Sequence, residues 1–296
     1  MKAIILSVLF FSATLLSYSQ SIERDVVASS GDYYEGTNVS LCWTLGEIAT
    51  ETYSAGNIIL TQGFQQSYGI VIHGIDLDVL VYLEGPYEMG SMNTFLKDEG
   101  LIPLNQPFNV LPWLYSGTES VATIPNNVVD WVLVDLRDAS SAVTAIPSNS
   151  VEMQAAFILN NGSVVGLNGS SVLQFTASIN DDPYVVVWHR NHLGVLSATS
   201  PIETGGVYSY DFSTSLNQAY GGGLGYKLID TGVYGMAGGD VNGDGVIDAA
   251  DKALWASQVG TQGYKAPDLD LNSQVNNIDK NDLMIENQDL SSQVPD

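Results

Sequence analysis

Alternation of apolar and polar residues predicts β-strands over most of the chain. Between residues 75 and 84 the odd positions are Ile, Leu, Val, Val and Leu, whereas three of the even positions carry carboxylates. A period of two indicates a strand with one buried face. Residues 129–136 are apolar on both faces, which predicts a central strand, and Asn161-Gly162 between two apolar runs predicts a tight hairpin. Further strands are predicted within 173–179, 184–188 and 208–212.

This series of strands, separated by Gly, Asn, Ser and Pro, predicts a mainly β protein. We expect an antiparallel β-sandwich domain over residues 70–235, which is long enough to bury a core on its own. Residues 20–69 contain three shorter predicted strands, within 38–44, 48–53 and 57–61, and form a small β-meander. So short a segment buries little apolar surface, and we expect it to pack on a neighbour. No helix is predicted before residue 236.

The first residues have the pattern of an export signal. Lys2 precedes an apolar core that ends near Leu16, and Ser17 and Ser19 are small residues at the positions that a signal peptidase requires. Residues 1–19 are therefore predicted to be a signal peptide that is cleaved before Gln20, with a retained membrane anchor as the alternative. We expect the mature protein to be secreted, either extracellular or at the cell surface.

The composition narrows the range of partners. The formal net charge is −24, with only nine Lys and Arg among 296 residues. Such a surface repels nucleic-acid phosphates, so no nucleic-acid partner is expected. Cys42 is the single cysteine and cannot form an internal disulfide. Stability must then come from the core and from any bound metal.

Oxygen-bearing side chains at alternate positions predict a calcium loop near the C-terminus. In residues 240–251, five such side chains occupy positions 1, 3, 5, 9 and 12 of a twelve-residue loop, and Gly245 supplies the tight turn at position 6. Calcium takes six to eight oxygen ligands, which this layout can direct inward. The predicted ligands are Asp240, Asn242, Asp244, Asp248 and Asp251, together with the backbone carbonyl of Val246.

A second loop repeats the pattern over residues 268–279. Its predicted ligands are Asp268, Asp270, Asn272, Gln274, Asn276 and Asp279. Ser273 stands where the first loop has glycine and there are fewer acids, so we expect two Ca²⁺ sites with the second weaker. The residues at position 8, Ile247 and Val275, are expected to meet in a short β-bridge.

The surroundings of the loops carry a resemblance to a known family. The glycine-rich approach to the first loop is unsuited to an entering helix, whereas residues 249–259 predict a helix that stops at Gly260. Two loop-helix repeats that end in Asp251 and Asp279 resemble a dockerin type I module. The resemblance implies a small calcium-dependent domain over 236–296. The partner we expect is a protein, either cohesin-like or another surface protein, or a glycan.

The resemblance does not extend to the partner-recognition positions. In dockerins that bind cohesin, small hydroxyl residues commonly occupy loop positions 10 and 11. Here those positions hold Ala249 and Ala250 in the first loop, and Asn277 and Ile278 in the second. The calcium ligands therefore carry over from the family, and the cohesin-binding surface does not.

A second resemblance covers most of the mature chain. The segments at 40–47 and 59–65, and those at 83–87, 102–107, 129–134 and 189–192, are similar to β regions that recur in exported, haemagglutinin-like surface proteins of Gram-negative bacteria. That family has no established activity. The resemblance therefore implies only a surface or secreted role.

Candidate catalytic or metal-binding residues outside the loops are few. His189 and His192 form an H-x-x-H pattern, but on a strand their odd spacing sends them to opposite faces, which favours a structural role. A loop that starts at His189 would instead bring them together, as zinc binding needs. Carboxylate pairs for glycoside hydrolysis are available without a signature at Glu84 and Glu88, Asp135 and Asp138, and Asp181 and Asp182.

These observations predict a secreted, non-catalytic calcium-binding interaction or adhesion protein with a protein partner. The alternative is a carbohydrate-binding component of an extracellular polysaccharide-degrading system. Its glycan would stack on some of the aromatic residues, although core packing also explains them: Tyr82, Tyr87, Trp113, Tyr115, Trp188, Tyr208 and Tyr210. A glycoside hydrolase is the least favoured alternative.

Overall fold

The computed structural model describes the strands at 30–36, 39–45, 52–55 and 58–61 by their backbone alone. It describes residues 74–296 throughout, with their side chains. The predicted signal peptide lies outside the described residues. The chain divides into two compact units, Met1–Val71 and Ile72–Asp296.

The described strands of the first unit form two hairpins. They are β1 (Ser30–Gly36), β2 (Val39–Leu45), β3 (Thr52–Ala55) and β4 (Ile58–Thr61). β1 pairs with β2 and β3 with β4, both antiparallel, in two separate two-stranded sheets. The expectation of three strands in one meander therefore missed β1, because its polar and glycine-flanked residues lack apolar alternation.

The second unit contains thirteen strands within residues 74–296. They are β5 (Ile75–Leu80), β6 (Tyr87–Glu88), β7 (Ser91–Met92), β8 (Val128–Ala139), β9 (Ser150–Leu159), β10 (Ser163–Val165), β11 (Leu173–Phe175), β12 (Asp182–Trp188), β13 (Val195–Leu196), β14 (Ile202–Thr204), β15 (Val207–Asp211), β16 (Tyr226–Asp230) and β17 (Val233–Met236).

Helices are short in the same unit. α1 (Phe95–Asp98) and α2 (Ala249–Gln258) are α-helices, and Asp279–Met284 forms a π-helix. Single 3₁₀ turns lie at Ala142–Thr144, Pro147–Asn149, Phe212–Thr214, Leu216–Gln218 and Gly222–Leu224. Among the described residues, no helix combines the length and the apolar character needed to cross a bilayer. α1 was not predicted, because four residues cannot display a helical period.

A nine-stranded curled sheet dominates the second unit, in the order β13-β12-β8-β9-β10-β5-β15-β14 with β11 also pairing with β5. All of its described pairings are antiparallel except β15 with β5, which is parallel. The prediction of a mainly β fold is confirmed. β5 buries alternate residues and β8 is buried on both faces, as their sequence patterns indicate.

The main core lies against this sheet, and a smaller cluster lies around the C-terminal loops. Trp131 of β8 is fully buried in the main core, where its Nε1 donates to the carbonyl of Pro103 at 2.8 Å. The smaller cluster contains Leu193, Ala237, Val241, Ile247, Trp255, Leu269, Val275, Leu283 and Met284. Both predicted calcium loops contribute to the smaller cluster, so they share one core.

Candidate metal centre

The carboxylate of Asp251 closes the first loop. Asp251 lies in the first turn of α2 and is fully buried. Its Oδ1 accepts from the backbone N–H groups of Val241 and Asn242 at 2.7 and 3.1 Å, and its Oδ2 accepts from that of Asp248 at 2.9 Å. Position 12 is thereby joined to positions 2, 3 and 9.

The predicted helix is confirmed, with Asp248 as its N-cap and Gly260 in the left-handed region after its end.

Asp240 has one carboxylate oxygen that the protein leaves unsatisfied. Its Oδ2 accepts from the backbone N–H of Gly245 at 3.0 Å, whereas its buried Oδ1 has no hydrogen-bond partner among the described residues. Burial raises the pKa of Asp240 to about 7, and the nearby Asp251 carboxylate adds to the rise. A buried acceptor without a donor is costly. A cation in the loop would satisfy it, so Asp240 fits the predicted metal.

The remaining side chains of the first loop bend it through short-range hydrogen bonds. Asn242 Nδ2 donates to Asp244 Oδ2 at 2.7 Å, and Asp244 Oδ1 accepts from the backbone N–H of Val246 at 3.0 Å. Asp248 Oδ1 accepts from the backbone N–H of Ala250 at 2.7 Å. These bonds fold the first loop locally. Among the described residues, however, the first loop does not bring three carboxylate oxygens within 4.8 Å of one another, as the second loop does.

The second loop repeats most of this hydrogen bonding, except that Asp268 Oδ1 accepts from the N–H of Asn272 at 3.1 Å, whereas Asp240 Oδ1 has no partner among the described residues. Asp279 Oδ1 accepts from the N–H of Leu269 at 2.7 Å, and its Oδ2 accepts from the N–H of Asn276 at 2.7 Å. Asp268 Oδ2 accepts from the N–H of Ser273 at 3.0 Å, as Asp240 does from Gly245. Further bonds of the loop join Asn272 to Asp270, Gln274 to Asn272 and Ile278 to Asn276. The two loops therefore have the same local fold.

Three carboxylates of the second loop converge on one point. Asp268, Asp270 and Asp279 each offer an oxygen, and the three oxygens lie within 4.8 Å of one another. Burial raises the pKa of all three carboxyls, and their mutual repulsion raises that of Asp268 and Asp270 further. An oxygen-only donor set suits a hard cation such as Ca²⁺ or Mg²⁺. These residues fit the group that the loop pattern implies.

Two positions in each loop require left-handed backbone. In the first loop they are Gly243 and Gly245, with φ of 73° and 85°, and in the second they are Leu271 and Ser273, with φ of 54° and 72°. A side chain with a Cβ is strained in this region, and glycine is not. The backbone strain that would weaken calcium binding by the second loop is therefore located at these two residues. Leu271 is buried in the main core, which holds it there.

The expected β-bridge between Ile247 and Val275 was wrong. Ile247 exchanges backbone hydrogen bonds with Asp289 and Leu290, both at 3.0 Å, and Val275 does so with Gly260 and Thr261, at 2.8 and 3.0 Å. In each case the partner follows the helix of the other repeat. The reason is that these returning segments occupy the edges at which the two loops would otherwise meet. The loops are still linked, because each repeat closes the other.

The histidines lie together in a buried turn. β12 ends at Trp188, so His189 and His192 leave the strand and their ring centroids come within 4.9 Å. The expectation of opposite faces was therefore wrong. His189 Nε2 lies 3.3 Å from Asp130 Oδ2, and His192 Nε2 accepts from the backbone N–H of Gly85 at 3.2 Å. Burial lowers the pKa of both rings, and their protein partners are consistent with a structural role.

The turn that contains these histidines also holds the second loop, which the sequence did not indicate. Arg190 Nε donates to Asp130 Oδ2 at 2.7 Å, its Nη1 donates to the carbonyl of Lys265, and its guanidinium lies 4.2 Å from the ring centroid of Tyr264. The Tyr264 hydroxyl donates to Asp130 Oδ1 at 2.7 Å. The charge of Arg190 keeps the pKa of Asp130 low despite burial. Four consecutive polar residues after an apolar strand are the one local signal of this network.

Two asparagine side chains complete the contact between the sheet and the second loop. Asn191 Nδ2 donates to the backbone carbonyls of Ala266 and Asp268, both at 2.8 Å, and Asn191 is fully buried. Asn93 Nδ2 donates to the carbonyl of Asp270 at 2.9 Å. Two predicted ligand residues are therefore positioned by side chains from distant parts of the chain.

The carboxylates considered for hydrolysis have other partners. Asp135 pairs with Arg137 at 2.8 Å, Asp138 accepts from the backbone of Asn180 and Asp181, and Glu84 pairs with Lys227 at 2.5 Å. Glu88, Asp181 and Asp182 are exposed. These contacts are those of structural ion pairs and turn caps.

Most of the aromatic candidates pack within the protein. Tyr82 and Tyr87 form an edge-to-face pair with ring centroids 5.1 Å apart, and the Tyr210 hydroxyl donates to the carbonyl of Gln218 at 2.6 Å. Tyr115 donates to the carbonyl of Met153. Trp113 and Trp188, in contrast, line a common pocket.

Comparisons with models of protein families, with curated proteins and with solved structures find no match.

Proposed function

We propose that this protein is an exported, non-catalytic calcium-binding interaction or adhesion protein. Its body would be a β-sandwich over residues 70–235, preceded by the small β segment 20–69 and followed by a dockerin-like helical calcium module over 236–296. The observation that supports this most directly is the convergence of the Asp268, Asp270 and Asp279 carboxylates in a loop whose hydrogen bonds repeat those of loop 240–251.

The proposed role of calcium is structural. A bound divalent cation would offset the repulsion among buried carboxylates, which otherwise disfavours the folded loops at neutral pH. In the first loop Asp240, Asn242, Asp244, Val246, Asp248 and Asp251 would hold it. In the second loop the same task would fall to Asp268, Asp270, Asn272, Gln274, Asn276 and Asp279. The orphaned Asp240 oxygen and the raised pKa values of the loop carboxyls support this assignment.

A protein partner is proposed for the exposed surface of the module. Ala249 and Ala250 at the start of α2 are exposed, and 49% of the surface of Ile278 is accessible to solvent. Three of the four residues at positions 10 and 11 are apolar, which would favour a partner with an apolar contact surface over the hydroxyl-mediated contact of the cohesin-binding dockerins. Cohesin-like and other surface proteins both belong to this proposal.

The alternative function is a carbohydrate-binding component of an extracellular polysaccharide-degrading system. The specific observation that favours it is the placement of Trp113 and Trp188 on one pocket. Two indoles on one pocket are suited to stacking on sugar rings. A glycoside hydrolase remains the least favoured alternative, because Glu84, Asp135 and Asp138 pair with nearby cations or backbone amides and the other three candidate carboxylates are exposed.

Calcium titration of the protein without its signal peptide tests the proposal. After chelation, isothermal titration calorimetry should show binding of about two ions, accompanied by a rise in the melting temperature. The double variant Asp240→Ala/Asp251→Ala should lose one site and Asp268→Ala/Asp279→Ala the other. Asp181→Ala/Asp182→Ala removes two exposed carboxylates outside the loops and serves as the matched control. A melting temperature that is the same with calcium and with chelator would refute the proposal.

A further inference from the structure

A pocket of about 530 Å³ lies beside the first calcium loop. Leu133 and Arg137 of β8, Met153 of β9 and Trp188 of β12 line one side of it. Residues 243–246 of the first loop line another, together with Trp113, Ser291, Ser292 and Val294. Small-molecule sites typically enclose about 300–1,000 Å³. The pocket is therefore of a size suited to a small organic ligand.

The two indoles of the pocket are held in place. Trp113 packs edge to face against Phe108, with ring centroids 5.2 Å apart. Gly194 lies directly against Trp188, so that a Cβ there would come within 2.2 Å of its Cε3. Both rings are half-buried. Ring positions that are set before binding reduce the entropy lost on ligand stacking.

Arg137 adds a hydrogen-bond donor without adding net positive charge. Its Nε donates to the buried carboxylate of Asp135 at 2.8 Å, and its Nη1 donates to the carbonyls of Ala145 and Pro295 at 2.6 and 3.0 Å. None of the hydrogen bonds described for residues 74–296 uses its Nη2. Because Asp135 balances the guanidinium and the chain carries a net charge of −24, an anionic ligand is disfavoured.

The remaining lining is rich in groups that hydrogen-bond to hydroxyls. Ser291, Ser292 and Asp244 lie along the pocket together with the backbone of Gly243 and Gly245. A ligand that uses both halves of this lining must have apolar ring faces and hydroxyl edges. A sugar ring has this combination, since its C–H groups stack on aromatics while its hydroxyls accept and donate hydrogen bonds.

We propose that this pocket binds a neutral carbohydrate and that the first calcium loop forms one of its walls. The second claim, that the calcium loop forms a wall of the pocket, rests on the calcium binding of the proposed function. Gly243 lies so close to the 112–113 segment that a Cβ would come within 2.8 Å of Pro112 Cδ. Ser292 donates its backbone N–H to the carbonyl of Gly245 at 2.7 Å. A change in the loop would therefore move the walls of the pocket.

The test measures sugar binding to the calcium-loaded protein without its signal peptide. Cellotetraose, xylotetraose, mannotetraose and laminaritetraose are titrated by calorimetry, with tryptophan fluorescence as a second readout. At least one should bind with a dissociation constant in the millimolar range or below. Trp113→Ala should weaken that binding by about tenfold or more, as expected for loss of a stacking surface worth about 1.4 kcal/mol. Phe95→Ala, which removes an exposed aromatic outside the pocket, should leave it unchanged.

A second variant separates the sugar pocket from the calcium site. Met153 lines the pocket from β9 and belongs to neither calcium loop. Met153→Trp should therefore fill the pocket, abolish sugar binding and keep calcium binding. Calcium binding without binding of any of the four sugars would overturn the pocket proposal and leave the proposed function intact. Sugar binding that is insensitive to both Trp113→Ala and Met153→Trp would also overturn it.

Removal of calcium tests the second half of the inference. Chelation should weaken sugar binding by at least about tenfold. Unchanged affinity after chelation, in protein that is shown to bind calcium, would refute the shared wall. Sugar binding by a protein that binds no calcium would support the pocket and contradict the proposed function.

Discussion

Leu271 and Ser273 show how one backbone requirement is met in different ways. Both adopt positive φ in the second loop, at positions where the first loop has glycine. Leu271 is buried among sheet residues, so its apolar contacts offset the strain, whereas Ser273 is only half-buried. The expected weakness of the second site therefore depends on Ser273 more than on Leu271.

Ser273→Gly should strengthen calcium binding at the proposed second site. Relief of left-handed strain is worth about 1–2 kcal/mol. Where the loop adopts this backbone only with calcium bound, the relief raises the calcium affinity about tenfold. Leu271→Gly changes the same kind of position but removes a buried side chain, and it should lower the free energy of unfolding by about 2–5 kcal/mol. Calorimetric titration and urea unfolding measure the two effects. A gain in stability for both variants, or for neither, would show that backbone strain does not distinguish the loops.

At the scale of elements, the segment after β12 connects the sheet to the second loop. His189 and Arg190 contact Asp130 of β8, while Asn191 holds the backbone of the loop. The buried hydrogen bond to Asp268 is costly to remove, because its carbonyl is then left without a donor inside the protein. The positions of the loop ligands consequently depend on an element that contains none of them.

Asn191→Ala should reduce both stability and second-site affinity. Loss of the amide leaves the buried carbonyl of Asp268 and the half-buried carbonyl of Ala266 without this donor, at a cost of about 1–3 kcal/mol. Measured in the Asp240→Ala/Asp251→Ala background, calcium affinity should fall about tenfold. Asn93→Ala removes one partly buried hydrogen bond to Asp270 and should cause a smaller loss. An unchanged second-site affinity in Asn191→Ala would contradict the positioning role.

At the scale of the whole molecule, the sheet and the loops belong to the same compact unit. Leu271 of the second loop lies in the sheet core, and a Cβ on Gly85 would come within 1.9 Å of the carbonyl oxygen of Leu269. Glu84 also accepts from Asn287 Nδ2 and from the backbone N–H of Gly238. Contacts of this density favour a single cooperative transition over independent folding of a terminal module.

Calcium should therefore stabilise β8 together with α2. A ligand at 100 times its dissociation constant adds about 2.7 kcal/mol to the free energy of unfolding of the unit that binds it. Amide hydrogen exchange, with calcium and with chelator, should show slower exchange in both elements and one calorimetric transition that shifts upwards. Protection confined to α2, with β8 unaffected, would indicate a separate module.

The sequence by itself determined the features that depend on local spacing. The alternating residues of β5, the doubly apolar run of β8 and the helix after Asp248 are visible in a few consecutive positions, and so are the loops 240–251 and 268–279. Each follows from periodicity, capping or turn chemistry that acts within about twelve residues. The structure therefore confirms the mainly β class and the first loop-helix boundary.

Only the tertiary structure decided which distant segments meet. The parallel pairing of β15 with β5, the bridges of Ile247 and Val275 to returning segments, and the Asp130–Arg190–Tyr264 network all join residues far apart in the chain. The pocket likewise combines Trp113, Trp188 and the first loop. Their local sequence cannot specify such partners, because the choice depends on the packing of the whole unit and on satisfying every buried polar group at once.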